Sequence, residues 1–237
     1  MATFILVPGA WLGAWCWKKV TPQLEKKGHQ VYPVTLTGMG DRVHLARPEV
    51  GMETGIQDVS NLIKYEDLDN IILLGHSFAG KIAAAVADRH PDKVREVLYL
   101  DSWIPEKVRT PQGAFSDEFP VQGSVVPLPE QLLEVAGKDV QGEHRKWMMS
   151  NSTPIPVKYF RDAVTLMGKF ESVKASYIFC TLGDTLSWYL SQSPGKSVDE
   201  VLKNLLDGPY RLIETGHWPM ITKPEELAKD ILDLTVK

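Results

Sequence analysis

The run Asn70-Ile71-Ile72-Leu73-Leu74-Gly75-His76-Ser77-Phe78-Ala79-Gly80 decides how this chain is read. Four consecutive aliphatic residues, Ile71 to Leu74, form an apolar strand that runs straight into Gly-His-Ser-Phe-Ala and then into an alanine-rich stretch. A serine at such a corner sits on a sharp turn with its hydroxyl standing clear of the backbone. The strand and the helix nearly collide there, so the positions two before and two after the serine must be small. Gly75 and Ala79 fill those positions. The corner therefore predicts an exposed nucleophile, Ser77, at the carboxyl end of a strand.

Working outward, similar apolar runs recur at Thr3–Pro8, Gln30–Leu36, Asn70–Gly75, Glu96–Asp101, Ser176–Thr181 and Tyr210–Glu214. Most are continuous rather than alternating, which is how strands covered on both faces read. Helical patterns fall between them: Trp11 to Lys27, Gly55 to Tyr65, Ala79 to Arg89, Val198 to Leu206 and Pro224 to Leu234. Thr222-Lys223-Pro224-Glu225 reads as a capping box for the last of these. Alternating strands and helices predict an α/β fold, a doubly wound and mostly parallel six-stranded sheet.

One stretch breaks the rhythm. Seven of the 16 prolines lie between Pro105 and Pro156, and no buried strand pattern occurs from Ser102 to about Thr165. Leu128 to Ala136, Glu143 to Met149 and Pro156 to Met167 are candidate short helices. A structureless loop of that length would be unusual. The expected organisation is a core made of residues 1–101 and 166–237, with residues 102–165 inserted as a small helical cap over the carboxyl edge of the sheet, where ligands bind in open α/β folds.

Composition narrows the function. The net charge of −4 gives no electrostatic reason to expect nucleic acid or anionic membrane. No apolar run approaches the roughly 18 residues of a membrane span. The opening Met1-Ala2-Thr3-Phe4-Ile5-Leu6-Val7-Pro8 reads as a first strand rather than a signal peptide. The two cysteines, Cys16 and Cys180, read as reduced core thiols, so a cytoplasmic protein is expected. No dinucleotide fingerprint, phosphate loop or His-Glu-x-x-His helix occurs, so no metal or nucleotide cofactor is indicated.

A serine hydroxyl needs a base to take its proton. On a sheet of this kind the partners follow in the order Ser, Asp or Glu, His, each on a loop leaving a strand. His217, in Glu214-Thr215-Gly216-His217-Trp218-Pro219, is the one histidine of six placed just past the last apolar run and before the last helix. His76 adjoins the serine but projects differently and is read as a local packing or hydrogen-bonding group. For the acid, Asp184 follows the fifth strand and is the first choice. Asp101, closing the fourth strand, is the runner-up, its alternative role being a polar strand end that supports the site. The developing oxyanion needs N–H donors. These are expected from Phe78, after the nucleophile, and from Ala10, in the loop Pro8-Gly9-Ala10-Trp11. Gly9, Trp11 and Trp218 are expected beside the substrate, whereas Trp15 and Trp17 are read as core.

These motifs resemble the α/β-hydrolase fold, and within it the plant methylesterase and hydroxynitrile lyase family with its bacterial esterase relatives. The resemblance rests on Phe4 to Trp17, the elbow at Ser77, the strand Tyr177-Ile178-Phe179-Cys180-Thr181 and the Gly216-His217 loop. It covers most of the chain and fades in the cap. It implies Ser77 as nucleophile, Asp184 as acid, His217 as base, and Ala10 with Phe78 as oxyanion donors; the preference for Asp184 over Asp101 rests partly on it. Two differences from the family's lyases matter. Those enzymes carry Lys just after the catalytic His, where this chain has Trp218, and Thr where it has Gly9. The family's usual His before Gly in the oxyanion loop is Pro8 here. Hydrolysis of small carboxylic esters is the expected activity, with a small-molecule ester as partner and the oligomeric state, including a homodimer, left open. The alternatives are lyase or cofactor-free oxygenase chemistry on the same fold, and a small-molecule receptor. Trp103, Phe115, Phe119, Trp147, Met148, Met149, Tyr159 and Phe160 either line an apolar pocket or pack the cap onto the sheet.

Overall fold

Runs that are apolar on both faces build the centre of the molecule. The structure is a computed structural model and describes residues 1–102 and 121–236. Its elements begin with β1 (Thr3–Val7), α1 (Thr21–Glu25), β2 (Gln30–Pro33), α2 (Met52–Tyr65), β3 (Ile71–His76), α3 (Ala79–Arg89) and β4 (Val94–Leu100). The inserted region contributes β5 (Val125–Val126), α4 (Glu130–Ala136), α5 (Gly142–Asn151), β6 (Ile155–Pro156) and α6 (Lys158–Arg161). The chain then returns through β7 (Lys174–Cys180), α7 (Asp184–Ser191), α8 (Val198–Leu205), β8 (Tyr210–Ile213), α9 (Pro219–Thr222) and α10 (Pro224–Thr235).

The main sheet has the order β2-β1-β3-β4-β7-β8, and every pairing in it is parallel. All six expected strands are present. Alternate residues feed opposite layers: Ile5, Val7, Ile71 and Leu73 belong to one buried cluster, Phe4, Leu6, Ile72 and Leu74 to the other. The chain leaves β1 toward β2 and then returns to β3 on the other side of β1. The loops after β1 and β3 consequently diverge, and the crevice between them is where this architecture binds ligands. Those two loops carry Ala10 and Ser77.

Several local expectations are corrected. Trp11 to Lys27 is not one helix but a 3-10 turn over Ala14–Trp17 followed by the short α1. Pro22 sits in the first turn of α1, where a missing N–H is tolerated, and it could not continue a helix from upstream. Pro156 lies in β6, so the helix expected from Pro156 to Met167 contracts to α6. The capping box is absent at Thr222: Lys223 is the N-cap of α10, and the Thr222 hydroxyl bonds Thr215 Oγ1 at 2.6 Å instead. A capping box does occur at α8, where Ser197 N–H donates to Glu200 Oε2 at 2.8 Å and Glu200 N–H returns to Ser197 Oγ at 3.3 Å. It satisfies two otherwise orphaned backbone donors.

Within the inserted region, β5 and β6 form a small antiparallel ladder that has no clear sequence signal. Trp103, Phe115 and Phe119 lie outside the described residues. Among the described residues no helix is long and apolar enough to cross a membrane.

Candidate active site

Ser77 has φ +56°, in the left-handed region that a non-glycine residue rarely adopts. Packing holds it there. A Cβ on Gly75 would fall 2.6 Å from the Ala79 carbonyl oxygen, and one on Gly80 would fall 2.0 Å from Ser102 Oγ. Ser102 Oγ donates to the Ser77 carbonyl at 2.6 Å, and Ser77 N–H donates to Leu100 O at 3.0 Å. The small residue two places before Ser77 is thus dictated by contact, as the spacing predicted, and Gly80 is a further close approach that the spacing did not single out.

His217 is carried by the loop between β8 and α9. Its backbone N–H donates to Ala136 O at the end of α4, at 2.7 Å, and its carbonyl accepts from His76 Nε2 at 2.8 Å. His76 is fully buried, and burial, joined by the nearby His217, lowers its pKa well below the ordinary value. A neutral imidazole that donates from Nε2 leaves Nδ1 as an acceptor. A Cβ at Gly9 would stand only 2.5 Å from that Nδ1, so the loop after β1 approaches as closely as it does because residue 9 is glycine.

The carboxylate hydrogen-bonded to His217 is Asp101, not Asp184. His217 Nδ1–H donates to Asp101 Oδ2 at 2.6 Å, while Asp184 Oδ1 lies 3.8 Å from the same nitrogen. The difference is one of backbone geometry. Asp101 has φ +41° at the end of β4, which turns its side chain inward; Cys180 N–H donates to Oδ1 at 3.1 Å. Gly183 leaves it space, since a Cβ there would come within 2.8 Å of Asp101 Oδ2. Asp184 instead opens α7 with its side chain 49% exposed, against 0% for Asp101. Burial of His217 lowers its pKa, but the Asp101 hydrogen bond and charge, with a further contribution from Asp184, outweigh this and leave the imidazole raised.

Ala10, Trp11, Ser77, Phe78, Asp184 and His217 line one cleft together with Met52, Lys81, Leu132, Tyr159, Phe160 and Thr185. Among the described residues the backbone N–H groups of Ala10 and Phe78 donate to no protein acceptor. Trp11 also ties the loop after β1 to the segment between β4 and β7: its Nε1–H donates to Val126 O at 3.1 Å, and its carbonyl accepts from Thr153 N–H at 3.0 Å.

Not every expected residue reaches the cleft. Trp218 is buried in the cluster with Leu133 and Ala136, its ring against Gly137, and does not line the wall. Of the cap residues, Tyr159 and Phe160 line it, whereas Met148 is core and Trp147 packs edge-on against Trp15 at 5.2 Å. Met52, Lys81, Leu132 and Thr185 were not foreseen. Lys81 alone left a signal, a charge inside the buried run Ala79 to Ala87. Donor atoms of Asp101, Asp184 and His217 lie within 4.8 Å of one another, the spacing of a metal site, but Asp101 Oδ2 and His217 Nδ1 are already bonded to each other.

A family profile described as "Alpha/beta hydrolase family" matches residues 4–230. The carbendazim hydrolyzing esterase of Nocardioides sp. strain SG-4G is 31% identical over 255 residues, covering 99% of this chain and 100% of the relative. Methylesterase 2 of Arabidopsis thaliana is 26% identical, covering 97% of this chain and 94% of its own length. The solved structure of an extracellular alpha/beta-hydrolase from a Paenibacillus species superposes with a TM-score of 0.80 at 22% identity, all of both chains being covered. That last likeness is one of fold. The resemblance to methylesterases and bacterial esterases read from the sequence is borne out.

Proposed function

The chain belongs to the alpha/beta hydrolase family, and from that membership we propose that it hydrolyses small carboxylic esters through an acyl-enzyme on Ser77. The observation that carries this reading is a single cleft lined by Ser77, His217, Ala10 and Phe78, whose histidine is hydrogen-bonded to a buried carboxylate. His217 takes the proton of Ser77 Oγ as that oxygen attacks the ester carbonyl. The N–H groups of Ala10 and Phe78 receive the oxyanion. Collapse of the tetrahedral species breaks the C–O bond, and the alcohol leaves with the proton held by His217. Water, deprotonated by the same histidine, then releases the acid and frees Ser77.

Asp101 is the orienting acid of this scheme, and Asp184 adds negative charge beside the imidazolium. The support for that order is the 2.6 Å against 3.8 Å separation and the burial of Asp101. The substrate is a small uncharged-carbonyl ester whose remaining groups meet Trp11, Tyr159 and Phe160. Residence in the cytoplasm belongs to the same proposal and is supported by the two buried, unbridged cysteines.

Hydrolysis of p-nitrophenyl acetate and butyrate, measured for the wild type beside Ser77→Ala, tests the mechanism. The expected loss in kcat is about 10³-fold or more, with the wild type showing a burst. Equal rates for the two proteins would end the acyl-enzyme reading.

A further inference from the structure

The cleft is lined largely by apolar and aromatic side chains, and it holds one basic side chain that the reaction does not use. Lys81 lines the cleft, and it is only partly exposed. It occupies the first turn of α3, immediately after the nucleophile corner. Helical side chains lean toward the N-terminus, so its stem is directed back toward Ser77.

That position is costly for a cation in three ways. The amino-terminal end of a helix carries partial positive charge and disfavours another. Removal from water penalises the ammonium, and burial lowers its pKa. Finally, among the described residues no carboxylate lies within ion-pair distance of it. The other charged group on the wall, Asp184, is half exposed beside His217, where solvent screens it. A partly desolvated ammonium with no carboxylate partner among the described residues, sharing a cleft with the nucleophile, is most stabilised by an anionic oxygen group brought in by the ligand.

We infer that Lys81 sets the specificity of this cleft by receiving a carboxylate on the substrate, so that the preferred esters are monoesters of dicarboxylic acids. The inference rests on the ester-hydrolase reading above. Such a substrate places its ester carbonyl at Ser77 and its free carboxylate at Lys81, with an apolar spacer along Met52 and Phe160. Hydrolysis adds one water across the ester bond and yields the dicarboxylate, the alcohol and a proton.

The test compares monomethyl succinate, adipate and suberate with the corresponding dimethyl esters. The readout is the ratio of kcat/KM values for each pair, so any general loss of activity cancels. The wild type is expected to favour the monoester roughly tenfold or more at one chain length, since a charge-assisted hydrogen bond is at stake. Lys81→Met and Lys81→Gln should each erase the preference, and Lys81→Arg should retain much of it. A preference that survives Lys81→Gln, or none at any length in the wild type, overturns the proposal. A separate arm measures calorimetric binding of the same monoesters to Ser77→Ala and to Ser77→Ala/Lys81→Gln. If no ester is turned over, the ester reading fails, yet weaker binding to the double variant would still uphold Lys81, and equal binding would remove it.

Discussion

The ends of β4 and β7 each offer a carboxylate to His217, and the two differ in almost everything but distance along the sheet. Asp101 is sealed from solvent, turned inward by a left-handed backbone, and fixed by the N–H of Cys180 as well as the imidazole. Asp184 begins α7, half exposed, 3.8 Å from the same nitrogen. A buried carboxylate in contact orients the ring and acts through low-dielectric surroundings, whereas an exposed one acts through screened charge alone. Proximity to the base therefore does not make two acids equivalent.

The largest consequence of that contrast is for turnover. Asp101→Asn should lower kcat about 10²–10⁴-fold, because the amide neither holds the tautomer nor stabilises the imidazolium. Asp184→Asn should cost less than about tenfold, as expected for a solvated charge beside the site. Steady-state kinetics on one ester decides this, and the reverse order would make Asp184 the orienting acid after all.

The pH profile sharpens the same comparison. In the proposed mechanism His217 must be neutral to accept the Ser77 proton, so kcat/KM should climb as pH rises through the imidazole pKa. Burial lowers that pKa, but Asp101 and then Asp184 raise it above the ordinary histidine value. Removing the Asp101 charge should move the acid limb to lower pH while depressing the plateau. Removing the Asp184 charge should move it the same way by less. An acid limb unmoved in Asp101→Asn would show that the imidazole is not the titrating base.

The smallest effect on catalysis is expected at a buried carboxylate that does not touch His217. Asp88, 2% exposed, accepts N–H groups from Met167, Lys169 and Phe170 at 2.6, 2.6 and 3.1 Å, and it ties α3 to the segment before β7. Its charge is answered by backbone donors far from the cleft. Asp88→Ala should lower stability by about 1–3 kcal/mol in urea unfolding and leave kcat/KM within about twofold of the wild type. A large kinetic loss without a stability loss would mean that burial by itself does not separate structural from catalytic acids here.

The insertion bears on how the site is assembled. Its β5 holds the loop after β1 through Trp11, and the end of α4 holds the loop after β8 through His217 N–H. It therefore fastens two loops of the cleft and adds Leu132, Tyr159 and Phe160 to its lining.

The sequence by itself determined the sheet and the sharp turn at Ser77, and it singled out His217 and the Gly9 loop as candidates that the structure brings to the same crevice. Each is written locally: continuous apolar runs, small residues flanking Ser77, one histidine after the last strand, Gly9 after the first. A period or a steric exclusion needs only neighbours in the chain to be legible. Tertiary structure decided what depends on contacts across the sheet. Asp101 and Asp184 lie beyond adjacent strands and cannot be ranked without the backbone turn at residue 101 and the space left by Gly183. Trp218, adjacent to the base in sequence, is drawn into the opposite core layer by Leu133 and Gly137. Lys81, one charge in an alanine-rich helix, becomes part of the cleft only because the first turn of α3 faces the crevice between β1 and β3.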